Sequence, residues 1–212
     1  MLDPVLRPVK DIALRPVARA LVGVHPGLVT GAGLALGLAS AGAAWQGSFR
    51  LALLLWLGNR ILDGLDGAVA REGKRATDLG GFLDLVADFI VYAAIPLALA
   101  VRADAPPGLL EAVAVLLGTF YVNAAGWMIP AAILERRRAT GGTPPSPTTV
   151  VIPEGLISGG ETVLFYALFL ALPEFQVPLV QTMAALTAVT ILQRVAWARR
   201  AFAAPTEAPD SG

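Results

Sequence analysis

Four aspartates, Asp63, Asp66, Asp84 and Asp88, stand close together in a chain that is otherwise mostly Leu, Ala, Val and Gly. On a helix, Asp63, Asp66, Gly67 and Ala70 fall at i, i+3, i+4 and i+7, so two carboxylates and two small residues share one face. Gly80, Asp84 and Asp88 repeat the pattern at i, i+4 and i+8 on the next helix. Arg71 to Leu79 is a polar connection long enough to turn the chain back, and Gly73 can break the helix, so the two acidic faces meet across a hairpin. A charged side chain deep in a membrane helix costs about 2.5 to 3.5 kcal/mol, and four unpaired ones about 10 kcal/mol. Arg60 and Arg71 cannot neutralise four carboxylates. Converging carboxylates without basic partners are hard oxygen ligands suited to Mg²⁺, Mn²⁺ or Ca²⁺, and two such cations balance four aspartates. A metal pair stabilises both the attacking and the leaving oxygen in displacement at phosphorus. Gly67, Ala70 and Gly80 leave room for a ligand beside the backbone. The residues alone therefore point to an enzyme handling a phosphate or diphosphate.

The elements that position these residues follow from composition. Of the 212 residues, 56% are hydrophobic and 15% charged, with a mean hydropathy of +0.67. An ordinary soluble domain carries about 25% charged residues, so this is an integral membrane protein. There are no cysteines, which excludes disulfides, thiolate metal sites and cysteine nucleophiles.

Crossing about 30 Å of hydrocarbon takes about 20 helical residues. Six runs qualify: Leu28 to Trp45, Phe49 to Ala70, Gly80 to Val101, Leu109 to Leu134, Ser158 to Leu172 and Val177 to Ala198. The expected fold is all-α, a polytopic membrane protein with six transmembrane helices between residues 28 and 198, within one domain over residues 1–202. Leu2 to Val22 carries Arg7, Lys10, Arg15 and Arg19 among apolar residues and reads as an N-terminal amphipathic helix on an anionic membrane surface. Its prolines, Pro4, Pro8 and Pro16, argue against one straight helix. Residues 203–212 and Thr140 to Pro153 are rich in Pro and small residues and are expected to be disordered and flexible.

Basic residues set the orientation. Arg71, Lys74, Arg75, Arg136, Arg137, Arg138, Arg199 and Arg200 join the N-terminal cluster on one side, against Arg50 and Arg102 on the other. The positive-inside rule then places both termini and the aspartates in the cytoplasm. Gly33 and Gly37 form a GxxxG helix-packing face. Trp45, Trp56, Trp127 and Trp197 suit interfacial anchoring, and His25 before Pro26 starts the first span.

Written out, Asp63-x2-Asp66-Gly67-x2-Ala70-Arg71-x8-Gly80-x3-Asp84-x3-Asp88 resembles the signature of the CDP-alcohol phosphotransferases at every defined position. The resemblance implies a homodimeric, six-helix enzyme of phospholipid synthesis in a prokaryotic inner membrane. An acceptor alcohol would attack the β-phosphorus of a CDP-alcohol such as CDP-diacylglycerol, forming a phosphodiester and releasing CMP. It further implies that Asp63, Asp66, Asp84 and Asp88 hold two divalent cations, Mg²⁺ or Mn²⁺, and that Asp88 is also the general base. Asp66, Gly67, Ala70, Arg71 and Gly80 would shape the CDP pocket, with Thr77, Asp78 and Thr30 as further contacts. The implied partners are the donor, a small acceptor alcohol, membrane lipids and a second copy, and no nucleic acid.

The acceptor is less legible. Arg136, Arg137, Arg138 and Arg194 are candidates to bind it if it is phosphorylated. The fifth run, however, opens with Glu161 and Thr162 where a basic residue would serve a phosphate. Two rival readings are an intramembrane Mg²⁺-dependent prenyltransferase and an ion-coupled carrier. The first is expected to separate its acidic motifs in a longer chain, and the second does not need Gly67, Ala70 and Gly80 at these offsets.

Overall fold

Helix boundaries in this chain are written in proline, glycine and capping side chains. The computed structural model describes residues 15–140 and 155–203, without the side chains of 138–140. Pro26 opens α1 (Pro26–Trp45), preset for the first helical turn, while His25 caps it by accepting the Gly27 N–H on Nδ1 at 3.2 Å. Gly47, at φ +73°, turns the chain into α2 (Phe49–Glu72). α2 stops at Gly73, but the left-handed residue that reverses the chain is Lys74, at φ 51°. Thr77 then caps α3 (Asp78–Val101) by accepting the Gly80 N–H at 3.1 Å. α4 (Leu109–Thr140) follows Gly108, at φ +82°. α5 (Gly159–Ala171) begins with a reciprocal box in which Ser158 and Glu161 cap each other's backbone. Glu161, where an arginine was sought, is thus a helix-start residue. A short 3₁₀ turn, Pro173–Phe175, leads into α6 (Gln176–Ala203).

Each of the six apolar runs is a helix. The count of spans is a different matter. α1, α3, α4 through Arg137, and α6 with the turn before it are long and apolar enough to cross a membrane. α5 has 13 residues, about 20 Å, and α2 carries Arg60, Asp63 and Asp66 in its second half. Among the described residues, hydropathy and length therefore support four spans plus a shorter apolar helix and do not confirm the expected six. Residues 15–20 are helical, and Arg15 and Arg19 pair with Glu72 at the end of α2. The rest of the N-terminal segment, the loop after Thr140 and the C-terminal tail lie outside the described residues.

α1 packs along both α2 and α3, α4 along α6, and α5 bridges α2 and α6. The glycines of the GxxxG pattern are what bring α1 so close. A Cβ on Gly37 would collide with the Val91 side chain of α3, and one on Gly33 would meet Leu62 Cβ of α2 at 3.6 Å. In lipid, where burial from water contributes nothing between spans, such close backbone approach is a main source of helix association. Trp56, Ile95, Leu99, Leu116, Phe169 and Met183 belong to one large buried cluster, which Trp56 carries up to Arg60. Trp56 is fully buried on a packing face, while Trp45 is 58% exposed.

Candidate active site

Because α1 sits against both α2 and α3, those two helices present their acidic faces to each other across it. The result is a cavity of about 10 Å³, room for a water or a bare ion, lined by Thr30, Gly33, Leu34, Asn59, Arg60, Asp63, Asp66, Asp84, Ala87 and Asp88. The four sequence-predicted aspartates thus come together, two from each helix. The antiparallel register pairs them. Four carboxylates gathered at one cavity repel one another unless protons or cations lie between them.

Asp66 is the most enclosed of the four, at 5% exposure. Thr30 of α1 donates its hydroxyl to Asp66 Oδ2 at 2.8 Å, and the Gly67 N–H is directed at Oδ1. Thr30 is therefore a partner of an acidic residue. Asp88 accepts Arg60 Nη2 on Oδ1 at 2.8 Å. Arg60 Nη1 lies 3.8 Å from Asp63 Oδ2 and donates to the Tyr92 hydroxyl at 3.0 Å. Its Nε donates to Asn59 Oδ1 at 2.8 Å, and Asn59 in turn donates to the Gly33 carbonyl at 2.8 Å.

The donor set fits a hard divalent cation: four carboxylates line one cavity against a single guanidinium. As they stand, however, no three acidic side chains among the described residues converge tightly enough to chelate one ion. The physical reason is visible in the contacts, since Asp88 is drawn to Arg60 and Asp66 to Thr30 and its neighbouring backbone.

The remaining expected residues lie elsewhere. Gly67, Ala70, Arg71, Thr77, Asp78 and Gly80 do not line the cavity; they follow it toward the α2–α3 turn, where Arg71, Thr77, Asp78 and Gly80 are exposed. A Cβ on Gly67 would meet Arg71 Nη1 at 3.2 Å, so the arginine folds back over the glycine. Arg194 is held by Asn123 of α4, donating to its side-chain oxygen at 3.0 Å, and its Nε is buried without a partner. Arg137 stacks over Phe202 at 5.3 Å, Arg136 is exposed, and the side chain of Arg138 is outside the described residues. Among the described side chains, those of Arg136, Arg137 and Arg194 do not line the aspartate cavity. The sequence reading gave Arg60 a minor part as an insufficient counter-charge and did not single out Asn59 or Tyr92. The available signal was an arginine one turn before Asp63 and one turn after Trp56 in an apolar run.

Residues 24–204 match the sequence profile of the CDP-alcohol phosphatidyltransferase family. YnjF, an inner membrane protein of Escherichia coli K12, is 42% identical over 98 residues, a match covering 45% of this chain and 47% of that protein. The aligned stretch is thus about half of that relative's length. In fold, the chain is similar to the phosphatidylinositol phosphate synthase of Mycobacterium tuberculosis solved with CDP-DAG bound, at a TM-score of 0.69 and 22% identity over 94% of this chain and 98% of that one. The same synthase in complex with manganese and citrate gives 0.68 at 22% identity, over 93% of each chain.

Proposed function

Because the chain belongs to the CDP-alcohol phosphatidyltransferase family, and is therefore a phosphotransferase of the membrane, we propose that it moves the phosphatidyl group of CDP-diacylglycerol onto a small acceptor alcohol and releases CMP. The observation that carries this reading is the single cavity bounded by Asp63, Asp66, Asp84 and Asp88. The nucleotide cannot fit inside it. The diphosphate would meet the carboxylates at its mouth, with the cytidine toward the turn, beside Gly67, Ala70, Arg71 and Gly80, with Thr77 and Asp78 at the rim. That the similar synthase was solved with CDP-DAG and with manganese supports both the donor and the cation requirement.

The four aspartates would hold divalent cations, Mg²⁺ or Mn²⁺, which when bound neutralise the diphosphate and stabilise charge at the reacting oxygens. Asp88 takes the proton of the acceptor hydroxyl as the new O–P bond forms and the bond from the β-phosphorus to CMP breaks. Thr30 fixes Asp66 while this happens. Arg136, Arg137 and Arg194, which do not line the cavity, would serve a phosphorylated acceptor from outside it. Charge distribution supports a cytoplasmic site and cytoplasmic termini, and the relative described as an inner membrane protein supports that location. Phe82, Phe89 and Tyr121, exposed along α3 and α4, suit lipid or a second copy of the chain.

CMP release from CDP-diacylglycerol, followed with a panel of labelled acceptors before and after chelation, tests the reading. Release should need one acceptor, stop on chelation and return with Mg²⁺ or Mn²⁺. Full release in the presence of chelator would remove the cation requirement, and no release with any acceptor would remove the donor.

A further inference from the structure

We infer that Arg60 is a positioning residue for the reaction, a built clamp that holds Oδ1 of Asp88 and so fixes the orientation of its carboxylate. The inference rests on the reading of Asp88 as the base. A simple counter-ion needs only charge and proximity, whereas the setting of Arg60 is directional on every side. Its side chain is 10% exposed, and its guanidinium lies 4.6 Å from the Trp56 ring centroid and 5.3 Å from that of Tyr92. Nε, Nη1 and Nη2 are each given a separate acceptor, Asn59, Tyr92 and Asp88.

Those acceptors are themselves held. Asn59 is anchored to the Gly33 carbonyl of α1, and Tyr92 takes the Tyr166 hydroxyl on its backbone carbonyl. Trp56 stacks on Tyr166 at 5.2 Å and 29°, and its indole N–H donates to the Val163 carbonyl of α5 at 3.4 Å. α1, α3 and α5 thus all bear on one guanidinium carried by α2. Only one oxygen of Asp88 is used in the pair. A planar fork with fixed donor directions can satisfy this arrangement; a lysine ammonium, equal in charge, cannot.

The test therefore keeps the charge and removes the fork. Arg60→Lys should lose about 10- to 100-fold in kcat, the usual cost of removing a residue that orients a ligand group. Its KM for CDP-diacylglycerol and its Mn²⁺ affinity, measured on purified protein without substrate, should stay near wild type. Unchanged kcat would overturn the inference in favour of a counter-ion. Loss of Mn²⁺ affinity matching the loss of kcat would overturn it in favour of a role in the cation site. If Arg60→Lys does not fold, Tyr92→Phe and Asn59→Ala carry the test: each should lower kcat with Mn²⁺ binding kept, and unaltered kcat in both overturns it. Asp88→Asn, measured alongside, separates the two readings. If that variant is inactive while Arg60→Lys is fully active, the clamp fails and the base stands; if Asp88→Asn is active, the base itself fails.

Discussion

The two ends of the helix bundle are built on opposite rules. Toward Leu99, Leu109 and Phe169, large side chains from α2, α3, α4, α5 and α6 fill the interior, with Ser40, Arg102 and Gln176 as the buried polar residues among them. Around Asp66, the buried apolar residues shrink to Ala18, Val29, Leu65, Ala68 and Val69, and the space between helices is left to carboxylates. One end holds the helices in register by dispersion contacts, and the other is thereby free to gather like charges that contribute nothing to packing. The contrast teaches that the acidic site is stabilised from outside itself.

The largest effect should come from the acidic end and leave the packed end intact. Asp84→Asn or Asp66→Asn should abolish cation-dependent CMP release while thermal unfolding in detergent is little changed. Near-normal turnover with ordinary metal dependence in either would break the comparison. Asp88→Asn should retain cation-dependent binding of the CDP donor yet lose about 10²- to 10⁴-fold in product formation, the usual range for a general base. Substantial product with an unaltered pH profile would assign the proton to another group.

The packed end should show the reverse. Phe169→Ala empties a fully buried site and should cost about 2 to 3 kcal/mol, mostly the cavity contribution, because lipid and not water is the alternative environment. Thermal unfolding and kcat on the same sample check it: stability should fall while the folded fraction keeps its turnover. The smallest effect belongs to Glu72. A hydrogen bond from Arg15 holds its carboxyl below the usual range, so its stabilising share is present above about pH 4.3, the unfolded value, and is lost as pH falls through the lowered one. Both partners are at the surface, and Glu72→Gln should remove a barely measurable pH-dependent part of the unfolding temperature between pH 7 and pH 3. A large shift would mean that residues 15–20 dock more firmly than this pair suggests.

Helix positions were legible because each apolar run is bounded by a cap or breaker with a local cause, such as Pro26, Gly47, Thr77 or Ser158. The acidic constellation was legible because helical spacing alone places Asp63 with Asp66 and Asp84 with Asp88. What spacing could not give was the third dimension. Nothing in the order of residues says that α1 packs along both α2 and α3. Nor does it say that Trp56, one turn before Arg60, faces inward to an aromatic box instead of outward to the membrane surface. Arg60 itself reads as a lone charge in a hydrophobic run until Tyr92, 32 positions later, is brought beside it.

The brevity of α5 has a consequence for traffic between phases. At about 20 Å it leaves about a third of a hydrocarbon layer about 30 Å thick without a helix of its own. Its N-terminus lies at the aspartate-bearing end, where Val163 and Tyr166 reach the level of Trp56 and Tyr92. The helix starts at that end with polar Ser158 and Glu161. Under the proposed reaction, a water-soluble alcohol would reach the aspartates past this short helix while a two-tailed donor stayed in its own leaflet.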